Sequence, residues 1–349
     1  MVAHPYADLP AERYWRKAVA SVPPFRLDPT RPDAFRLSRT ERIATAGSCF
    51  AQQIARTLRQ AGYTYYVAEP PPPRIDPAYA EQEGNFSARY GNIYTTRHLA
   101  QLLDRAFGRF APALEAWRRE DGRYVDPFRP RIEPDGWATP EEVLTDCERH
   151  LGAVRTLFTT LDTLVFTLGL TEGWVDARDG AALPLPPGVA GGMFEPECYD
   201  FVNATVGEMV GDLTRFIDGL REVNPRARVI LTVSPVPIIA TMEDRHVLVS
   251  NTYTKSALRV VADEVCRARP DVFYFPSYEV VTSPATAERY YADNLRAVTE
   301  AGIRHVTRLF LAHAEGQVPE QQRATVPLDL RLEGAQAAEV ICDEETLDA

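Results

Sequence analysis

Two nucleophile-capable side chains stand side by side in Gly47-Ser48-Cys49-Phe50-Ala51, where a short apolar run ends and a helical pattern begins. A group on a strand-to-helix turn is exposed at the top of a sheet and faces the positive end of the helix macrodipole. That end lowers a thiol pKa and offers backbone N–H groups to an oxyanion, which makes Cys49 the better nucleophile of the two. The same residues also read as a small core thiol beneath a helix that Ser48 caps. Three other strings follow apolar runs in the same way: Gly169-Leu170-Thr171-Glu172-Gly173-Trp174, Ser234-Pro235-Val236-Pro237 and Pro276-Ser277-Tyr278-Glu279. Glu172 beside the Trp174 wall suits a carboxyl of raised pKa acting as acid or base; alternatively it pairs with an arginine such as Arg89. Lys255 and Arg296 could hold an anionic substrate group or sit solvated on helix surfaces.

The elements that must position these strings are legible from periodicity. Ile43 to Ala46 reads as a strand, followed by a helix on Ile54, Ala55, Leu58 and Ala61 that Gly62 stops. Tyr63 to Val67 reads as a second strand before Pro70 to Pro73 breaks regular structure. From Arg74 to Ile132 only His98 to Phe110 is helical, and the rest reads as loops. Capping boxes at Thr139-Pro140-Glu141-Glu142 and Thr205 to Glu208 open two amphipathic helices. Strands are expected at Leu164 to Leu168, Val229 to Val233 and Val272 to Phe275, a loop at Arg178 to Gly192, and helices near Lys255 to Ala268 and Thr299 to Ala314. Strands alternating with helices mean a parallel sheet covered on both faces, with any ligand beyond the carboxyl ends of its strands.

Composition limits the function classes. The chain has 349 residues, 45% hydrophobic and 25% charged, with a formal charge of -11 and no dense Lys/Arg block, which argues against nucleic acid as a partner. No apolar run approaches a membrane span and the first residues lack a signal-peptide core, so the expected location is cytoplasmic. The five cysteines are scattered without a C-x-x-C pair, which suggests neither a disulfide framework nor a metal site, and no cofactor motif follows any strand.

Gly47-Ser48-Cys49-Phe50-Ala51 spells the signature of the GSCFA family, a branch that resembles the SGNH/GDSL hydrolases. Asn85 to Thr95 (NFSARYGNIYT), Phe166 to Trp174 and Ser234 to Pro237 also resemble family blocks, so the likeness runs from about Tyr6 to His313. It implies acyl-group chemistry on a three-layer α/β/α fold with a mainly parallel, doubly wound, flavodoxin-like sheet. Laid on the SGNH pattern, Cys49 takes the nucleophile position and Ser48 shapes the turn. The oxyanion-donor glycine falls near Gly91-Asn92, and Thr171 replaces the usual asparagine donor. The Asn92 amide could restore that donor, or could instead satisfy loop backbone. The Asp-x-x-His dyad is missing: Asn294 and Ala297 stand where its acid and histidine belong. Of the six histidines, His246, in a loop after the Ser-Pro-Val-Pro string, is the preferred substitute base; His98 and His305 read as structural.

The expected organisation is a surface-wrapping segment over 1–39, an α/β domain over 40–314 with an irregular insertion at 70–136 covering the site, and a tail over 315–349 with a strand-like run at Val326 to Leu332. The expected function is acyl transfer through Cys49, as an esterase or an O- or N-acyltransferase. The acceptor would be a small molecule or saccharide and the donor an acyl-CoA or acyl carrier protein. The alternative is a non-catalytic acyl- or carrier-protein-binding module whose dyad has decayed.

Overall fold

Five consecutive residues buried on both faces, Ile43–Gly47, mark a central strand of a covered parallel sheet rather than an amphipathic one. The computed structural model describes residues 5–317 except residues 7, 33, 77 and 81–83. The tail from residue 318 onward, with its Val326 to Leu332 run, lies outside the described residues. Two compact units divide the described residues: one holds residues 37–275, the other residues 5–36 and 276–317.

In chain order the strands are β1 (Ile43–Gly47), β2 (Trp117–Arg118), β3 (Tyr124–Val125), β4 (Thr163–Leu168), β5 (Glu172–Asp176), β6 (Ala182–Leu183), β7 (Tyr199–Asn203), β8 (Arg228–Val233) and β9 (Val272–Tyr274). The central sheet has the order β1-β4-β8-β9 and is parallel throughout. Helix Ala51–Gln60 packs on β1 and β4, while Val247–Ala268 packs on β8 and β9 beside Val206–Val223. With its flanking helices this is the expected three-layer α/β fold.

The edge of β1 departs from expectation. Tyr63 to Val67 is not a strand; only Tyr65 bridges to Ile43, through Ile43 N–H to Thr64 O and Tyr66 N–H to Ile43 O. Further along, side chains and loop backbone replace the missing ladder. Ser87 Oγ accepts the Thr45 N–H at 3.0 Å, the Tyr90 hydroxyl donates to Thr45 O, and Ile93 N–H donates to Gly47 O at 2.8 Å. Each outward-facing polar group of a buried strand needs a partner, and a segment that supplies three of them leaves no room for a paired strand.

Two other differences bear on the site. The Arg178 to Gly192 loop contains β6, which joins β5 and β7 in a second, antiparallel sheet of order β6-β5-β7. The helix expected from Lys255 begins eight residues earlier, at Val247, with His246 at its N-cap. At Thr205 the capping box closes in both directions; at Thr139 the hydroxyl accepts from Glu142 N–H, but the Glu142 carboxylate reaches Ala138 N–H instead.

In the smaller unit, helix Glu300–Ala314 carries His305, whose Nδ1 pairs with the Tyr290 hydroxyl at 2.8 Å, and His313, whose Nε2 pairs with Asp28 at 2.9 Å. Burial pushes His305 down to about 4, so its ring is neutral.

Candidate functional site

The turn at the carboxyl end of β1 depends on a glycine. Gly47 has φ of 129°, and a Cβ there would lie 2.7 Å from the Thr167 nitrogen. Ser48 N–H then donates to Thr167 O at 3.1 Å, and Ala51 and Gln52 N–H turn back onto Ser48 O and Cys49 O. The chain thus passes from strand to helix within three residues and presents Ser48 and Cys49 at the strand end. Neither residue is exposed as the sequence suggested, since each is only 3% accessible. Nor does Ser48 cap the helix: its buried Oγ has no hydrogen-bond partner.

Two segments close over this turn. The first is Asn92-Ile93-Tyr94, which crosses the ends of β1 and β4: Ile93 N–H bonds Gly47 O, and Tyr94 O accepts Gly169 N–H and Leu170 N–H at 3.3 and 3.0 Å. Asn92 is buried and its Oδ1 accepts from Gln52 Nε2 at 3.4 Å, one helical turn beyond Cys49. Gly91, with φ of 66°, supplies the bend before it. The second is the exit of β4, where a Cβ on Gly169 would meet Ser48 Cβ at 3.0 Å. A small pocket of about 30 Å³ opens beside the crossing segment, walled by Tyr79, Tyr90, Gly91, Asn92, Phe128 and Ile132.

The remaining sequence candidates separate into local roles. Thr171 is buried and its hydroxyl pairs with Thr254 Oγ1 at 3.0 Å. Glu172 does not pair with Arg89. Its carboxylate accepts from Thr241 Oγ1 at 2.7 Å and Met242 N–H at 3.1 Å; Ser250 Oγ donates to Thr241 Oγ1 at 2.9 Å and accepts from Arg245 Nε at 2.8 Å. Glu172 therefore anchors the loop that leads to His246. The His246 ring is exposed and its Nδ1 accepts Leu248 N–H at 3.1 Å, a helix cap in what the sequence suggested was open loop. Trp174 packs between Phe194 and Phe201, with ring centroids at 5.2 and 5.7 Å.

Arg89 is fully buried. Its Nη2 donates to Ile132 O at 2.6 Å, with Glu133 and Asp146 at 3.8 and 4.0 Å. Asp146 also takes Arg129 at 2.6 Å, and Arg129 pairs with Asp126 at 2.7 Å. Glu69 accepts Arg89 N–H and pairs with His150 Nδ1 at 2.6 Å. Burial alone would raise the Glu69 carboxyl, yet His150, Arg129 and the Arg89 N–H hold it down to about 2. This network pins the 126–146 stretch to the chain just before the segment that crosses the site, a structural use for a residue that the sequence suggested as a partner for Glu172. Asp146 and His150 are the signal missed: they sit on the buried stripe of helix Pro140–Thr160 between Val143 and Val154. His98 is buried and neutral, pushed to about 3 by burial and then by Arg105.

Ala297 belongs to the smaller unit, where its N–H and that of Arg296 are held by Asn294 Oδ1. Lys255, weighed as a surface cation, is 1% exposed, and its Nζ donates to Gly169 O at 3.0 Å. The signal was the helix register: Ser250, Thr254, Ala257, Leu258 and Val261 form one buried stripe that brings Lys255 inward.

Among the described residues no cluster of His, Cys, Asp or Glu is arranged to hold a metal ion, and no helix is long and apolar enough to cross a membrane. None of Cys49, Cys147, Cys198 and Cys266 is in a disulfide.

Among solved structures the chain is similar to a protein from Streptococcus pneumonia that carries the provisional name platelet activating factor. They share 14% identity over 50% of this chain and 67% of that one, with a TM-score of 0.28, a level that says nothing of activity. No curated protein matches the sequence. The GSCFA family profile matches residues 42–310, the span that carries the Gly47 turn, the crossing segment and all four central strands; the chain belongs to the GSCFA family.

Proposed function

We propose that this protein transfers acyl groups through Cys49, as an ester hydrolase or an acyltransferase acting on a small-molecule or saccharide acceptor. The observation that carries the reading is the Gly47-Ser48-Cys49 turn. A backbone that only glycine can adopt sets a thiol at a strand end, at the start of a helix. Asn92, on the segment that crosses the same strand end, and Gly91 before it serve this reading as the oxyanion donors. His246 serves this reading as base through Nε2, since its Nδ1 is used as a cap.

A second reading, a non-catalytic module that binds acyl groups or an acyl carrier protein, is favoured by the burial of Cys49. One experiment separates the two. Intact-mass spectrometry with a panel of acyl thioesters and activated esters should give a single acyl adduct on wild type that Cys49→Ala abolishes and Ser48→Ala retains. Binding without an adduct across the panel would select the module, and an adduct surviving Cys49→Ala would move the nucleophile.

A further inference from the structure

We propose that Lys255 is a positioning residue for the Ser48-Cys49 turn, a buried ammonium that stabilises the anionic form of Cys49 across one intervening peptide. The inference rests on the reading of Cys49 as nucleophile and adds to it the source of the charge.

The geometry is a stack of three layers. Lys255 Nζ donates to Gly169 O at 3.0 Å, and Gly169 lies so close to Ser48 that a Cβ would approach Ser48 Cβ to 3.0 Å. Ordinary covalent dimensions then keep the ammonium within about 10 Å of Ser48 Cβ. Its helix is tied to the same turn by the preceding residue, because Thr254 Oγ1 meets Thr171 Oγ1 at 3.0 Å. Two successive residues of Val247–Ala268 thus engage Gly169 and Thr171, which fixes the lysine against the strand ends rather than leaving it to sample solvent. With 1% of Lys255 exposed, its charge acts on its neighbours with little screening by water or salt.

The elements that close over the turn bring these groups. The first turn of helix Ala51–Gln60 carries Gln52 and Gln53, and the crossing segment brings Asn92 and Tyr94. Beyond Gly169 the next ionisable group is Glu172, whose carboxylate is engaged by Thr241 and Met242. The helix after the crossing segment opens with Arg97, which pairs with Glu208 at 3.6 Å, and His98, which burial keeps neutral. When Cys49 ionises, its proton leaves to solvent and the thiolate gains the field of Lys255. A family member without the Asp-x-x-His dyad would then need no strong base for the attack itself.

The test is the pH profile of Cys49 alkylation by iodoacetamide, followed at the Cys49 peptide by mass spectrometry in wild type, Lys255→Met and Thr254→Val. Wild type should show a midpoint below the ordinary thiol value of about 8.5, and Lys255→Met should raise it by about one unit, roughly a tenfold loss of rate at neutral pH. Thr254→Val loosens the same turn while keeping the charge and should leave the midpoint in place. An unchanged midpoint in Lys255→Met, or an equal shift in Thr254→Val, overturns the proposal. Should Lys255→Met fail to fold, Lys255→Gln takes its place with the same expected rise, and a wild-type midpoint at or above that of a free cysteine overturns the proposal by itself. Acyl-thioester labelling of the same samples separates the two claims. A wild-type adduct with a Lys255-independent midpoint sinks the role of Lys255 alone, whereas a Lys255-dependent midpoint without any adduct sinks acyl transfer alone.

Discussion

Gly47 and Thr167 touch backbone to backbone: a Cβ on Gly47 would lie 2.7 Å from the Thr167 nitrogen and 2.9 Å from its carbonyl carbon, at a φ of 129°. The contact joins β1 to β4 where both strands end. Gly47→Ala must both enter a backbone region closed to L side chains and displace a neighbouring peptide. It should therefore cost about 3 kcal/mol or more, from strain and overpacking together. Urea denaturation of the purified variant measures this directly, and a loss below about 1 kcal/mol would show that the turn relaxes and is not set by glycine.

Ser87 stands in for a missing strand. Its Oγ is the partner of Thr45 N–H inside the sheet edge, so Ser87→Ala leaves a buried donor unmet and should destabilise by about 1–3 kcal/mol. Tyr90→Phe removes the neighbouring bond to Thr45 O and should cost less, because a carbonyl tolerates a lost partner better than an N–H does. Equal and negligible losses in both variants would mean that water takes over the edge.

Acid should weaken the larger unit in two stages. His98 is depressed, by burial first and then by Arg105, so the folded protein keeps it neutral while the unfolded chain protonates it near 6.5. Its contribution is full above about pH 6.5 and falls as the pH drops toward the folded value of about 3. Glu69 acts in the same direction lower down, full above its unfolded value near 4.5 and lost as the pH approaches about 2. In equilibrium unfolding from pH 7 to 3, His98→Leu should flatten the upper stage; a slope identical to wild type would place the acid sensitivity elsewhere.

Glu172 holds Thr241 and Met242, and through Ser250 it reaches Arg245. Replacing it with alanine should raise hydrogen exchange over residues 241–246 by about ten- to a hundredfold, as expected for the loss of roughly 1–3 kcal/mol of hydrogen bonding to a charged group. The central strands should stay unchanged. If exchange rises equally in β4 and β8, Glu172 supports the whole fold and not the loop.

Much of the framework was written in local sequence. The stripe Val206, Met209, Leu213, Phe216, Ile217 and Leu220, with a capping box at its head, specifies its helix wherever it packs. Apolar runs broken by turns specify β4 and β8, and Gly47 before two small polar residues specifies a tight exit from β1. These features depend on neighbours a few residues apart, so periodicity and propensity report them.

Tertiary structure alone decided which polar side chains went inside. Ser87 and Tyr90 read as loop residues, yet they complete the edge of β1 because Tyr63 to Val67 supplies only one bridge there. Lys255, Asp146 and Arg89 carry the charge of surface residues, and each is buried because a partner far away in the chain, Gly169, Arg129 or Ile132, meets it. His246 became a cap and Cys49 a buried thiol for the same kind of reason. Burial of a polar group follows from what other segments bring to it, and one segment does not contain that information.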